Sequence, residues 1–282
     1  LFLITGEAKY VEELERATYN HLYAAENPLS GCVSYYTALQ GVKPYKCDQG
    51  YSCCLSSIPR GIALVPSFVW GKINEEFAIL IYEKGEARDT IRAKDGSKVA
   101  ISITSETNFP LGGKVRYIIN PSANKRFTIN FRVPAWATEF ILTAGGTTYK
   151  GIPGSFLTVE RDWKAGDIVE LNFGIPTQVV KGGISYPNMV AIKRGPQVLA
   201  LDMALNPGLK LSDQLSFETA GDIKIKEYSG NYPENWQWKQ GYTTTISVNN
   251  APKEIVLVPY AEAGQNAEEV RVWLPASKLI FK

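Results

Sequence analysis

The sequence predicts a mainly β fold, with two antiparallel β-sandwich domains preceded by a short helical stretch. Three observations carry this. From Phe77 onward, apolar and polar residues alternate with a period of two, in runs separated mostly by Gly, Pro, Asn or Asp. A clear helical period occurs once, over residues 7–26. At 282 residues the chain exceeds what one hydrophobic core usually serves, so two domains are expected.

Leu1 to Ile4 begins without an initiator Met and reads as the last turn of a helix already under way, so the chain is expected to be a piece of something longer. In residues 7–26, Tyr10, Val11, Leu14, Ala17, Thr18 and Leu22 recur at helical spacing, Glu12 sits four before Arg16, and Asn27-Pro28 stops the helix. His21, the only histidine, is read as a packed or solvated side chain with no assigned role. Gly31 to Leu39 alternates weakly like a short strand, residues 41–61 read as a turn-rich loop, and Ile62 to Trp70 is a continuous apolar segment that wants burial. These elements cannot cover one another's apolar faces, so residues 1–70 call for a larger helical partner.

Strands are expected at Phe77–Tyr82, Lys98–Thr104, Lys114–Ile119, Phe127–Val133, Glu139–Thr143, Ser155–Val159 and Ile168–Phe173. Gly145-Gly146 is a hairpin turn between two of them, and Lys164 to Asp167 is another turn before a strand. A second set follows at Met189–Lys193, Gln197–Leu201, Ile223–Lys226, Thr243–Val248, Glu254–Val258, Arg271–Leu274 and Leu279–Phe281. The boundary between the sandwiches falls near residue 185 or near 205, and is set here at 202.

Three of the four cysteines lie between Tyr45 and Gly61. A disulfide between neighbours is strained, so Cys53 and Cys54 point instead to one shared partner. That partner could be a metal, and a thiolate so placed is also a competent covalent nucleophile. The competing reading treats these residues as small buried hydrophobes, with Cys32 and Cys47 joined in an ordinary disulfide. The spacing of the cysteines matches no familiar pair of zinc knuckles, so both readings stand.

Charge excludes some partners. With 30 basic and 28 acidic residues the net charge is +2, and no basic run is interleaved with aromatics, so nucleic acid and membrane surfaces have no electrostatic support. The 15 Tyr and 6 Trp suit sugar stacking and sandwich cores equally well. No apolar run approaches the length of a membrane span.

Seven motifs in order carry a resemblance: Leu3 to Asn20 (LITGEAKYVEELERATYN), Cys53-Cys54 with Pro59-Arg60, Arg132-Val-Pro-Ala-Trp136, Trp163-Lys-Ala-Gly-Asp167, Lys193-Arg-Gly-Pro196, Val258-Pro-Tyr260 and Arg271-Val-Trp-Leu274. Together they resemble the C-terminal half of glycoside hydrolase family 127, the bacterial β-L-arabinofuranosidase group. The resemblance implies that residues 1–72 end a helical (α/α)6 barrel, with sandwiches at 73–202 and 203–282. It implies a retaining hydrolase acting on β-L-arabinofuranosides or related plant-polysaccharide sugars, with Cys53 as nucleophile. Cys53 and Cys54 would hold zinc, which keeps bound thiols deprotonated. A glutamate, a third cysteine and the acid/base carboxylate would then lie upstream of Leu1. By the same analogy Tyr35, with Tyr36 as the less favoured choice, hydrogen-bonds near the nucleophile, and Arg60 binds substrate or makes a structural salt bridge. The expected partners are a carbohydrate substrate and a second copy joined through a β-sandwich. The compartment is left between bacterial periplasm and cytoplasm, leaning to the periplasm. A reading from a different class makes the chain a non-catalytic carbohydrate-binding or structural module.

Overall fold

The computed structural model describes residues 1–48, 52–216 and 223–275, and within them the fold is mainly β. The expected strand Leu279–Phe281 lies outside the described residues. The chain forms two compact units, each built from two separate stretches: residues 1–15 with 64–176, and residues 16–63 with 177–282.

In the first unit, helices α1 (Phe2–Thr5) and α2 (Ala8–Arg16) precede two sheets. A six-stranded antiparallel sheet runs in the order Gly85–Arg92, Lys98–Thr107, Lys114–Pro121, Asp167–Gly174, Thr138–Ala144, Thr147–Lys150. A four-stranded sheet runs Ser155–Trp163, Lys125–Val133, Glu76–Ile79, Trp70–Ile73. All seven strands expected in this region form, because alternation is a local property that the pleat reads directly. The expectation of purely antiparallel pairing needs one correction: Glu76–Ile79 runs parallel to Lys125–Val133, with Phe77 opposite Ile129. The strands between them in sequence belong to the other sheet, so the chain returns from the same end.

The two-residue turn forms as expected. Ala144 pairs with Thr147, and Gly145 and Gly146 take φ of 55° and 80°, which favours glycine at both positions of a tight hairpin. Packing explains the central strand. In Lys125–Val133 every residue from Phe127 on is buried, so both its faces are covered. Phe131 meets Tyr117 of the six-stranded sheet at 5.7 Å between ring centroids. On the same strand, Arg132 meets Glu12 and Glu15 of α2.

In the second unit the helical period continues, but α2 passes into a π-helical stretch at Ala17–Leu22. A ten-stranded sheet carries the rest. Its main path runs Gln40–Val42, Glu269–Arg271, Gln197–Asp202, Ala251–Pro259, Tyr242–Val248, Leu215–Ser216. One apolar cluster gathers Leu199, Leu201, Ile255 and Leu257, and a second gathers Ala24, Ala200, Val256, Val258 and Tyr260. Alternate residues of the same two strands thus feed both clusters, as a two-sided sheet requires.

Three local expectations are corrected here. Gly31–Leu39 is not a strand; only Val33 makes isolated bridges, to Glu26 and Lys46. The strand begins instead at Gln40, whose partner Arg271 lies far along the chain. Residues 52–64 are helical and not loop, forming α3 (Ser52–Leu64), and the apolar segment after it becomes a 3₁₀ turn at Val65–Phe68. Arg271–Leu274 is interrupted, with strands at Glu269–Arg271 and Leu274–Pro275.

Candidate active site around Cys53 and Cys54

Helix α3 carries the cysteine pair in its first turn. Cys53 is exposed and Cys54 half-buried. Their sulfurs lie 3.7 Å apart and are not bonded. Partial burial, and then the neighbouring Cys53 thiol, push the Cys54 thiol above its ordinary value.

The rest of α3 fixes where this pair sits. Pro59 lies inside the helix and lacks the N–H that would bond back to Leu55. The next residue folds onto its own helix: Arg60 donates from Nε to the Ser56 carbonyl (3.0 Å) and from Nη2 to the Ser57 hydroxyl (3.0 Å). Gly61 faces Leu22, and a Cβ there would lie 3.0 Å from the leucine Cδ1. This glycine lets α3 approach the π-helical stretch closely.

Cys32 and Cys47 form a disulfide with Cα atoms 4.6 Å apart, so the alternative reading holds for these two cysteines and not for the adjacent pair. Between them, Val33 pairs with Lys46. Tyr35 and Tyr36 follow Cys32 and stand 47% and 68% exposed, in edge-to-face contact at 4.6 Å. The structure brings Cys53 and Cys54 together. It turns Arg60 onto Ser56 and Ser57, and it sets the two tyrosines edge to face.

Two thiolates about 2.3 Å from one tetrahedral zinc ion would lie about 3.8 Å apart. The observed sulfur separation of 3.7 Å fits half of such a site. Among the described residues, no group of three or more His, Cys, Asp or Glu is arranged to hold a metal.

Sequence reasoning missed what most of the other motifs do. Arg132 is fully buried and donates to Glu12 (2.7 Å), to Glu15 and to the Leu80 carbonyl. Ala135 N–H donates to Glu12 (2.9 Å) and Trp136 Nε1 donates to Glu15 (2.9 Å), so two motifs satisfy each other. Asn20 donates to the carbonyls of Arg16 and Pro196 (both 2.8 Å) and accepts from Val198 N–H (2.6 Å). Lys43 donates to the Tyr260 carbonyl (2.6 Å), and the Tyr260 hydroxyl donates to the Ala38 carbonyl (2.9 Å). Trp163 Nε1 donates to the Phe127 carbonyl (3.0 Å). These side chains are tied into the frame by these hydrogen bonds. The signal was available: charged and amide residues repeated within otherwise apolar motifs need buried partners.

Residues 1–67 match the family model described as the β-L-arabinofuranosidase GH127 catalytic domain, and residues 80–175 match that of the GH127 middle domain. The chain superposes on a GH127 β-L-arabinofuranosidase from Geobacillus stearothermophilus T6 with a TM-score of 0.81 and 22% identity, covering 97% of this chain and 47% of that one. It superposes on the GH127 β-arabinofuranosidase BT3674 with a TM-score of 0.82 and 25% identity, covering 98% and 47%. A third solved structure, titled glycoside hydrolase, gives 0.72 and 22%, covering 98% and 50%. The chain therefore spans about half the length of the solved structures it matches. No curated protein matches.

Proposed function

Because this chain belongs to glycoside hydrolase family 127, we propose that it is part of a retaining glycosidase for β-L-arabinofuranosides or related plant-polysaccharide sugars, with Cys53 as nucleophile. One observation carries the reading: an exposed thiol in the first turn of a helix, 3.7 Å from a second thiol, within the stretch that matches the catalytic-domain model.

The Cys53 sulfur would form a bond to the anomeric carbon as the bond to the leaving oxygen breaks, and water would later cleave the sulfur–carbon bond. The leaving oxygen would take its proton from a carboxylic acid, which as carboxylate would then take a proton from the attacking water; among the described residues no carboxyl is hydrogen-bonded to Cys53. Cys54 would share with Cys53 the holding of a zinc ion, and that ion, when bound, favours the thiolate. Tyr35, or Tyr36 beside it, would supply a hydroxyl near the substrate. Arg60 would reach substrate only by leaving Ser56 and Ser57. The (α/α)6 barrel end, the sandwich layers and a homodimer through a sandwich belong to the same proposal. The disulfide between Cys32 and Cys47 supports an oxidising compartment such as the periplasm. No helix among the described residues is long and apolar enough to cross a membrane.

The test is Cys53→Ser in the full-length protein, assayed on an aryl β-L-arabinofuranoside alongside circular dichroism. Loss of turnover with the fold retained is expected; ordinary turnover in that variant removes Cys53 as nucleophile. A non-catalytic carbohydrate-binding or structural module is the second reading. It is favoured by the finding that only two zinc-ligand candidates come together among the described residues.

A further inference from the structure

The six-stranded sheet of the first unit carries, on its solvent face, a grid of side chains set by strand register. Arg88 pairs with Ser102, which pairs with Asn120. Two residues along, Thr90 pairs with Ala100, whose carbonyl accepts from Ser122 N–H at 2.8 Å. Side chains two apart on a strand share a face, so these six residues point the same way. Of the residues between them, Ile101 and Pro121 are buried and Asp89 is exposed, and all three also line the groove.

The smallest of the six, Ala100, sits in the middle of its row. It forms the floor of an open groove of about 530 Å³ whose walls include Arg88, Thr90, Ser102, Asn120 and Ser122.

The charges at the groove are already matched. Glu86 accepts from Arg88 Nε (2.8 Å) and Nη2 (3.3 Å) and from the Ser102 hydroxyl (2.7 Å). Lys72 lies 2.8 Å from the Asp89 carboxylate. A charged ligand would find no unbalanced charge here. Neutral hydrogen-bonding capacity remains, however. Asn120 uses its Oδ1 to accept from Gly166 N–H (2.9 Å), which orients the amide, and its NH₂ has no partner among the described residues. Arg88 Nη1 and the Thr90 and Ser122 hydroxyls likewise have no partner among the described residues. Donors and two-way hydroxyls around a small apolar floor match a polyhydroxylated ring, which presents hydroxyls at its edge and C–H groups on its face.

Resting on the glycosidase reading for the class of ligand, we infer that this face of the first unit, formed by Arg88, Thr90, Ala100, Ser102, Asn120 and Ser122, is a binding surface for a neutral saccharide. It would hold a polysaccharide chain and take no part in bond cleavage.

The experiment is affinity electrophoresis of the full-length protein in gels containing soluble arabinan or arabinoxylan, with Ala100→Tyr to fill the groove and the double variant Thr90→Val/Ser122→Ala to remove hydroxyls. Ala100 is exposed on a strand, where tyrosine is well accepted. Retardation of the parent protein is expected, reduced at least tenfold in Ala100→Tyr and about threefold in the double variant. Turnover of a small aryl glycoside, read separately, should stay within twofold. Three outcomes overturn the inference: no retardation of the parent, equal retardation of a folded Ala100→Tyr, or retardation abolished by moderate salt, which would make the attraction ionic.

Discussion

Trp136 donates its indole N–H to Glu15 across 2.9 Å, although 121 residues separate them in sequence. Glu15 is almost fully buried and also takes Arg132, whose guanidinium has no exposure at all. Two of the stretches that carry the family resemblance are therefore halves of one buried ionic joint.

Breaking that joint on one side should be costly. Arg132→Met leaves Glu15 buried without its cation, and a loss of about 3–5 kcal/mol in unfolding free energy is expected. Urea denaturation followed by tryptophan fluorescence reads it. A loss below 1 kcal/mol would show that Glu15 is satisfied by other means.

Asn20 joins the π-helical stretch to the strand Gln197–Asp202 through Pro196 and Val198. Asn20→Ala orphans the partners of these bonds and should cost about 1–3 kcal/mol. Asn20→Asp keeps the acceptor for Val198 N–H and loses both donations, so it should fall between wild type and Asn20→Ala. Thermal melts of the three proteins would show that order, and equal melting of all three would contradict it.

Two buried groups should give stability opposite pH slopes. Burial pushes Lys43 down to about 7 against the pull of Asp202, and it pushes Glu262 up to about 8 against the backbone N–H of Gln240. The Glu262 contribution is complete below its unfolded value of 4.5 and is lost as pH rises towards 8. The Lys43 contribution is complete above 10.5 and is lost as pH falls towards 7. Each slope is at most about 1.4 kcal/mol per pH unit. Glu262→Gln should therefore gain stability relative to wild type between pH 5 and 8. Lys43→Met should lack the rise that wild type shows between pH 8 and 10. Parallel stability–pH curves for variant and parent would refute either assignment.

The Cys32–Cys47 disulfide closes a short loop just before α3. Replacing both residues with Ala should cost about 3 kcal/mol, the expected entropy of a loop of about 15 residues. Reductant should destabilise the parent and leave the double variant unchanged. Equal sensitivity of the two proteins would place the effect elsewhere.

Zinc, if held by the adjacent pair, should be lost from Cys54→Ala. Metal content after dialysis of the full-length protein is the measurement, and a chelator should lower both metal content and activity of the parent. Full activity with zinc shown to be gone would remove the metal from the mechanism.

The sequence by itself determined where most strands lie and where the chain turns. Alternation from Phe77 onward and the Gly145-Gly146 pair act within a few residues, so they survive without knowledge of the rest. It also singled out Cys53 and Cys54, but put them in a loop, because Gly61 and Pro59 read as loop signals while inside α3 the glycine serves the close approach of Leu22. Tertiary structure alone decided which strands pair: Phe77 opposite Ile129 and Gln40 opposite Arg271 are joined across long stretches by shared burial. It alone decided that Arg132, Trp136 and Asn20 are frame residues. Burial strips water from a polar group, and only the folded chain shows which distant partner replaces that water.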